Sequence, residues 1–435
     1  MLSGVLQRLA RVEPGETRTV FTALVLFFCV LCGYFMLRPL RETVGTVLGE
    51  EEVSQLFLYT WGASILVIPL YGLLCSVLPR SVLLPLVYGM VSASLVGVWM
   101  LLEANPDSLG AARFFFVWIS VLNLFIVSVF WTFMVDVFSS SQAKRVFGFI
   151  AAGGTLGGLI GPVLTDVLVE PLGRNNLLLI SAGLFVMAVV FQLSLLKTQS
   201  MKRELSASAG DGGSAYERPI GGNPFAGITL VLRSPYLLGF SLFVILLASA
   251  TTFLYFDQLR LMKEAFPDEN DRTSMFARID YIVQTLTLVT QLFFTSRIAT
   301  RLGVVVLLTS VPIAMIGGFV TLAALGSFWV LAVVMIIRRA GEYSLTRPGR
   351  EILFTSVDTE TKYKAKNLID VVVYRGGDAL SAQVRTGLAA SGMAFSMIAL
   401  CGAGVALAWA AVGFWLAKRH EAQPAATNPA VIRAT

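Results

Sequence analysis

The chain has 435 residues, of which 56% are hydrophobic and only 14% are charged, and its formal net charge is +6. A soluble domain typically carries about 25% charged residues, so this composition excludes an ordinary soluble enzyme and a disordered chain. Long continuous apolar segments, such as residues 20–37, indicate a polytopic helical membrane protein, because the strands of a membrane barrel alternate in polarity instead.

Twelve segments are predicted to be transmembrane helices, most of them as long apolar runs. In chain order they lie near residues 20–37, 54–78, 82–102, 112–137, 146–169, 176–196, 236–256, 276–296, 303–325, 327–341, 367–389 and 394–417. If the N-terminus is cytoplasmic, nearly every cluster of Lys and Arg falls on the cytoplasmic side, as the positive-inside rule requires. The sequence therefore predicts an integral protein of the cytoplasmic (inner) membrane with both termini in the cytoplasm.

The longest hydrophilic interruption separates the sixth segment from the seventh. It divides the chain into an N-terminal six-helix bundle (1–197), a cytoplasmic linker (198–235) and a C-terminal six-helix bundle (236–435). The linker is rich in Ser, Gly and Ala, which is typical of flexible linkers. This 6+6 arrangement of an all-α membrane protein predicts the major facilitator-type fold, in which substrate binds near the bilayer midplane. We expect a monomer surrounded by membrane lipid.

The sequence does not favour metal or cofactor chemistry. The cysteines, at positions 29, 32, 75 and 401, lie in apolar segments, and the single histidine is His420 near the C-terminus. A structural zinc site needs about four convergent ligands, and no nucleotide-hydrolysis or haem motif is present. We therefore expect no metal, no cofactor and no enzymatic activity. The basic excess is typical of cytoplasmic loops and not of nucleic-acid binding.

The first predicted helix ends in charged residues. Arg38 and Arg41 share a helix face if the helix continues through Pro39, and Glu42 follows them. Basic residues at the external end of a span oppose the positive-inside rule, so we predict that these charges face a cavity. The alternative is a collar of side chains that reach the external interface. Asn123, in the middle of the fourth span, is a candidate for contact with a neighbouring helix or with substrate.

A row of small residues marks the fifth span. Gly153, Gly157 and Gly161 recur every four residues, with Gly154 and Gly158 beside them, and such rows let two helices approach closely. The row is consistent with a sliding contact in a transporter that rocks, or with tight packing that does not move.

Charges are densest between residues 338 and 385. The candidate residues there are Arg347, Arg350, Lys366, Asp370, Arg375, Asp378 and Arg385. Four of these charges lie in the eleventh span, where they need water or ionic partners, and Gly376 and Gly377 are expected to unwind the helix and expose backbone N–H groups. The alternative is a set of salt bridges that stabilises a cytoplasmic gate. For Asp257, at the end of the seventh span, the simpler interpretation is a surface charge.

Two stretches resemble a known family. The first is Tyr34-Phe-Met-Leu-Arg38-Pro-Leu-Arg41-Glu42. The second is Tyr343-Ser-Leu-x-Arg347-Pro348-Gly-Arg350-Glu351, followed by Asp358, Glu360, Thr361-Lys362-x-Lys364-x-Lys366 and Ile369-Asp370-Val-Val. Both are similar to sequences of the non-mitochondrial ATP/ADP translocases, the nucleotide transporters of plastids and obligate intracellular bacteria. The resemblance implies a major facilitator-like carrier of phosphate-bearing anions.

The chain departs from that family at several positions. Arg41 and Glu42 stand where the family has Lys and Asp, and Arg347-Pro348 stands where it has Asp-Pro. The family's glutamates in helices four and seven are Ile119 and Tyr255 in this chain. The resemblance therefore implies a broader class of anion than ATP and ADP.

Together these observations predict a secondary active transporter that moves a nucleotide or another phosphorylated or organic anion by alternating access. The predicted substrate-binding residues are Arg38, Arg41, Asn123, Arg347, Arg350, Lys366 and Arg375. The predicted coupling or gate residues are Glu42, Asp257, Asp370 and Asp378. Two alternatives remain open: a carrier of the same fold for a non-anionic or lipid substrate, and a non-transporting membrane assembly partner.

Overall fold

The computed structural model describes residues 13, 16–77, 80–207, 226–354, 365–366 and 368–422. Nearly all of these residues are helical, and none of them is in a strand. The centre of the predicted linker, residues 208–225, lies outside the described residues, as do Asp358, Glu360, Lys362 and Lys364.

Six long helices account for the described part of the first 207 residues. They are α1 (Thr17–Leu48), α2 (Glu50–Val77), α3 (Arg80–Ala104), α4 (Leu109–Val137), α5 (Ser140–Leu172) and α6 (Asn176–Ala207). Ser139 caps α5 through a reciprocal capping box with Gln142, which satisfies two backbone donors at the start of that helix. The α1 helix continues through Pro39 without a break, so Arg38 and Arg41 are helical.

The rest of the chain contains eight α-helical segments and three π-helical turns among the described residues. They are α7 (Ala226–Arg233), α8 (Pro235–Ala265), α9 (Glu269–Thr290), π1 (Gln291–Thr295), α10 (Ser296–Leu325), α11 (Phe328–Gly341), π2 (Glu342–Thr346), α12 (Arg347–Leu353), π3 (Leu368–Val373), α13 (Tyr374–Ala390) and α14 (Phe395–Glu421). The tenth predicted span continues through π2 into α12. Arg347 and Arg350 therefore lie in the same continuous helical segment as residues 328–341.

The predicted fold class is confirmed. Each predicted span coincides with an α-helix or with an α-helix joined to a π-helical turn. Among the described residues, eight helical stretches are long and apolar enough to cross a membrane, and one of them, Glu269–Leu325, contains two predicted spans. Several helices extend beyond the predicted bounds; α6, for example, continues to Ala207.

The described chain forms two compact units. The first comprises the described parts of Met1–Leu48, Ile65–Pro219 and Phe266–Tyr281. The second comprises the described parts of Gly49–Ser64, Ile220–Ala265 and Ile282–Thr435. The start of α2 therefore packs within the second unit and the start of α9 within the first. The boundaries 1–197, 198–235 and 236–435 remain a prediction about how the sequence is organised.

In the first unit, the glycine row of α5 lies against the backbone of α1. A Cβ at Gly157 would lie 2.6 Å from the carbonyl oxygen of Phe28, and one at Gly161 would lie 2.7 Å from that of Cys32. Real Cβ atoms do not approach this closely, so only glycine allows the two helices to meet. The close contact is required by both interpretations of the row, a sliding contact and tight packing that does not move.

The prediction that Gly376 and Gly377 unwind the eleventh span is wrong. Both lie within the regular helix α13, and the irregular turn is π3, which precedes them. The glycines instead make room for neighbours, since a Cβ at Gly376 would lie 3.3 Å from Trp61 Nε1 and one at Gly377 would lie 3.1 Å from the Cβ of Ala248.

Candidate functional site

In the first unit, Arg41 is held by three groups near the end of α1. Its Nη2 donates to Glu42 Oε1 (2.8 Å), and its Nη1 donates to Ser120 Oγ on α4 (3.1 Å). The guanidinium lies 5.0 Å from the centroid of the Phe116 ring. The cation–π contact and the carboxylate partner both stabilise the charge of Arg41, which lies with Glu42 as an ion pair.

The end of α1 also contacts the start of α9, which sequence reasoning did not anticipate. Arg38 Nη1 lies 3.8 Å from Asp280 Oδ2. The hydroxyls of Thr43 and Thr273 are 2.7 Å apart. The buried Arg272 donates to Thr46 Oγ1 (2.7 Å). Asn123 is not part of this group, because its side chain is exposed and no hydrogen bond joins it to the described residues.

In the second unit, a buried ion pair missing from the prediction crosses the junction of α11 and π2. Arg338 Nη1 donates to Glu342 Oε2 and to Thr251 Oγ1, each at 2.8 Å. The side chains of Arg338 and Glu342 are each only 8% exposed. Opposite charges four residues apart next to an apolar run are the signal that could have identified this pair.

In the second unit, three of the predicted basic residues have carboxylate partners. Arg350 pairs with Asp370, and Lys366 Nζ lies 2.6 Å from Glu351 Oε2. Arg375 Nη1 lies 3.6 Å from Asp378 Oδ2, and the Thr252 hydroxyl donates to the other oxygen of Asp378 (3.2 Å). The structure thus brings predicted bases and predicted acids together in pairs.

Arg347 differs from these residues. Its side chain is exposed, and within the described part of the chain it has no ion pair and no hydrogen bond through its guanidinium. The guanidinium lies 4.5 Å from the centroid of the Tyr343 ring one turn earlier. An arginine that faced lipid near the bilayer centre would cost about 2.5–3.5 kcal/mol, so an exposed Arg347 is expected to face water.

These pairs and Arg347 form one electrostatic group, which we call the arginine cluster. Its members are Arg338, Glu342, Arg347, Arg350, Asp370, Arg375 and Asp378. Arg347 interacts electrostatically with Glu342 and Asp370, and Asp378 interacts with Arg375, Glu342 and Arg338. Tyr374 lies among them and interacts with the same four charges. The cluster is therefore continuous from α11 through α12 to α13.

Asp257 is not the surface charge that the simpler interpretation expected. Its side chain is 1% exposed, and Asp257 Oδ1 accepts a hydrogen bond from Arg385 Nη2 (2.9 Å). Arg385 is also buried and pairs with Glu50 in the first turn of α2 (2.7 Å). Asp257 and Arg385 are 128 residues apart in the sequence, so no local pattern predicts the pair.

Solved structures with a similar fold include transporters. The nucleoside transporter NupG has a TM-score of 0.66 and 15% identity, with 91% of this chain and 98% of that chain covered. The POT family transporter PepTSo has a TM-score of 0.66 and 13% identity, with 94% and 100% covered. The chain has the major facilitator-type fold.

Another structure of this fold, a POT family transporter in complex with 5-aminolevulinic acid, has a TM-score of 0.62 and 10% identity over 93% of this chain and 96% of that chain. No protein-family model and no curated protein sequence matches the chain. The major facilitator-type fold and the apolar helices make the protein an integral membrane protein. Identities this low show the fold alone, so a function has to be argued from the site.

Proposed function

We propose that the protein is a secondary active transporter that moves a nucleotide or another phosphorylated or organic anion across the cytoplasmic membrane by alternating access. The observation that carries this proposal is Arg347, an exposed guanidinium without a carboxylate partner in the described structure. Arginine presents a planar set of donors that suits carboxylates and phosphates. The major facilitator-type fold of the solved transporters and the resemblance to the ATP/ADP translocases both support it.

The contacts around Arg347 orient its guanidinium for binding an anion. The Tyr343 ring supports one face of the guanidinium, so less side-chain freedom is lost when an anion binds. Asp370 and Asp378 pair with Arg350 and Arg375 in the structure. A solute bound at Arg347 that interacted with these pairs differently in the two conformations would shift a transporter between them.

The other predicted residues are proposed to contact substrate or to couple and gate transport. Arg38, Arg41 and Asn123 are candidates for substrate contact from the first unit, and Lys366 from the second. Glu42 and Asp257 are candidates for coupling or gating, because each holds an arginine in the structure.

The proposal is tested first by ligand-induced stabilisation. Purified protein is screened for a rise in melting temperature with nucleotides, sugar phosphates and organic acids, since a ligand of the native state stabilises it. Any hit is then followed by uptake into proteoliposomes. Arg347→Gln should weaken binding about tenfold, or about 1.4 kcal/mol, while Arg347→Lys should retain part of it.

The matched control is Arg260→Gln, because Arg260 is exposed and already pairs with Glu264 four residues later. This variant should bind and transport like the wild type. Stabilisation and uptake by neutral solutes alone, with no effect of Arg347→Gln, would contradict the anion proposal.

A carrier of a non-anionic solute is the second candidate. It is favoured by the pairing of Arg338, Arg350 and Arg375 with acids, since internal ion pairs are what a structural or gating network requires. The same screen separates the two, because a neutral solute would stabilise the wild type and Arg347→Gln equally.

A further inference from the structure

We infer that the arginine cluster accepts solutes with a single negative charge in preference to polyphosphates. This inference rests on the proposed function and narrows it to a substrate class. It follows from how the charges of the cluster are already compensated and not from the resemblance to nucleotide exchangers, whose substrates carry several charges.

Three of the four arginines in the cluster are neutralised within the protein. Arg338 donates to Glu342, Arg350 pairs with Asp370, and Arg375 lies beside Asp378. The arginine side chains in these pairs are between 8% and 16% exposed. A solute that bound one of these arginines in place of its acid would leave that acid uncompensated. Removing one partner of a buried ion pair in this way is strongly destabilising.

Arg347 is the remaining cation. Four arginines and three carboxylates leave one positive charge in the cluster, and that charge is on the exposed guanidinium over Tyr343. A solute with one negative charge would neutralise the cluster completely. Each further negative charge would face Glu342, Asp370 or Asp378 at close range.

The adjoining sequence adds no formal net charge. Residues 355–364 carry Asp358, Glu360, Lys362 and Lys364 and are formally neutral. Lys366 is paired with Glu351. Arg339 is buried and makes interactions of its own, so the accessible positive charge of the described residues around the cluster is that of Arg347.

The experiment compares ligands that differ mainly in charge. One series is adenosine, 3′,5′-cyclic AMP, AMP and ADP; a phosphate monoester carries about −1.5 to −2 at pH 7, whereas the cyclic diester keeps one charge. A second series is lactate, malate and citrate. Dissociation constants are measured at fixed ionic strength for the wild type, Arg347→Gln and the Arg260→Gln control.

We expect the singly charged member to bind tightest in whichever series binds, by about tenfold over its more highly charged relatives. Arg347→Gln should remove that preference and leave the control unaffected. Tighter binding by ADP or citrate would overturn the inference while leaving the anion proposal standing. Binding by no member of either series, together with stabilisation by neutral solutes, would overturn both.

Discussion

At the scale of single residues, Glu16 is a buried carboxylate that precedes α1. It is 8% exposed and accepts hydrogen bonds from Gln142 Nε2 (2.7 Å), Arg145 Nη2 (3.2 Å) and the backbone N–H of Glu13 (3.1 Å). Burial raises the pKa of the Glu16 carboxyl, but these donors and the Arg145 charge outweigh burial and hold its pKa below the ordinary value. The ionised form therefore stabilises the folded protein.

Glu16→Gln should lower the melting temperature at pH 7. Because the folded-state pKa is depressed, the stabilisation is complete above the ordinary glutamate pKa and is lost as the pH falls through the folded-state value. The difference between wild type and variant should thus be largest at pH 7 and shrink as the pH falls below the ordinary glutamate pKa. Glu13→Gln is the control, because the Glu13 side chain is 66% exposed although it also contacts Arg145. A difference that did not vary with pH would contradict this assignment.

Arg385 and Asp257 allow a second prediction at this scale. Their side chains are 2% and 1% exposed, so Arg385→Gln leaves a buried carboxylate without its partner. We expect the free energy of unfolding in detergent to fall by about 3–5 kcal/mol. Adding Asp257→Asn should restore part of this loss, because the uncompensated charge is then removed.

Lys418→Gln serves as the comparison. Lys418 and Glu421 form an exposed pair within one helix, and such pairs contribute about 0–1 kcal/mol. If the double variant were as unstable as Arg385→Gln alone, the loss would come from packing of the arginine and not from charge.

At the scale of helices, the contact between α5 and α1 depends on the absence of side chains at the glycine row. Gly157→Leu would place a branched side chain against the Phe28 carbonyl oxygen and the Cys32 backbone nitrogen. Overpacking of this kind costs about 1–3 kcal/mol or more, so the variant should show a lower melting temperature and less folded protein in membranes. Gly148→Leu, in the same helix but facing open space, should behave like the wild type. Equal stability of the two variants would mean that the helices separate without penalty.

Most spans were predictable from the sequence because they are long apolar runs, and the length of such a run indicates a membrane crossing. The π-turns were not predictable from the sequence, because a turn such as π2 makes hydrogen bonds with residues far away in the chain. Thr295 Oγ1 donates to the Ser344 carbonyl oxygen (2.8 Å), and Gln291 Nε2 donates to that of Tyr343 (3.1 Å). These contacts join π1 to π2 across about 50 residues, a distance over which periodicity carries no information.

The candidate site was predictable only in part, for the same reason. The density of charge after residue 338 marked the region, because charge in an apolar span requires a partner or water. Which base pairs with which acid is decided by tertiary packing. The prediction from sequence did not distinguish Arg347, Arg350 and Arg375. In the structure Arg347 is exposed, whereas Arg350 and Arg375 each pair with an acid.

At the scale of the whole molecule, the distribution of basic residues predicts the orientation in the membrane. Clusters such as Lys197, Lys202 and Arg203 follow even-numbered spans, whereas Glu103 and Asp107 follow an odd-numbered one. Since Lys and Arg are retained on the cytoplasmic side, both termini and residues 198–235 should be cytoplasmic. The loops near 103–111 and 263–273 should be external.

Cysteine labelling of intact cells tests this orientation. In a variant without the native cysteines, single cysteines at Asp107 and Asn270 should react with a membrane-impermeant maleimide added outside. Cysteines at Ser208 and Ala422 should react only after the membrane is permeabilised. Asp107 and Ala422 are exposed in the structure, so failure to label at these two positions reports on the side of the membrane and not on burial. Labelling of Ser208 and Ala422 from outside, with Asp107 protected, would invert the topology. Every loop would then lie on the opposite side of the membrane, and the direction of transport assigned from uptake assays would be reversed.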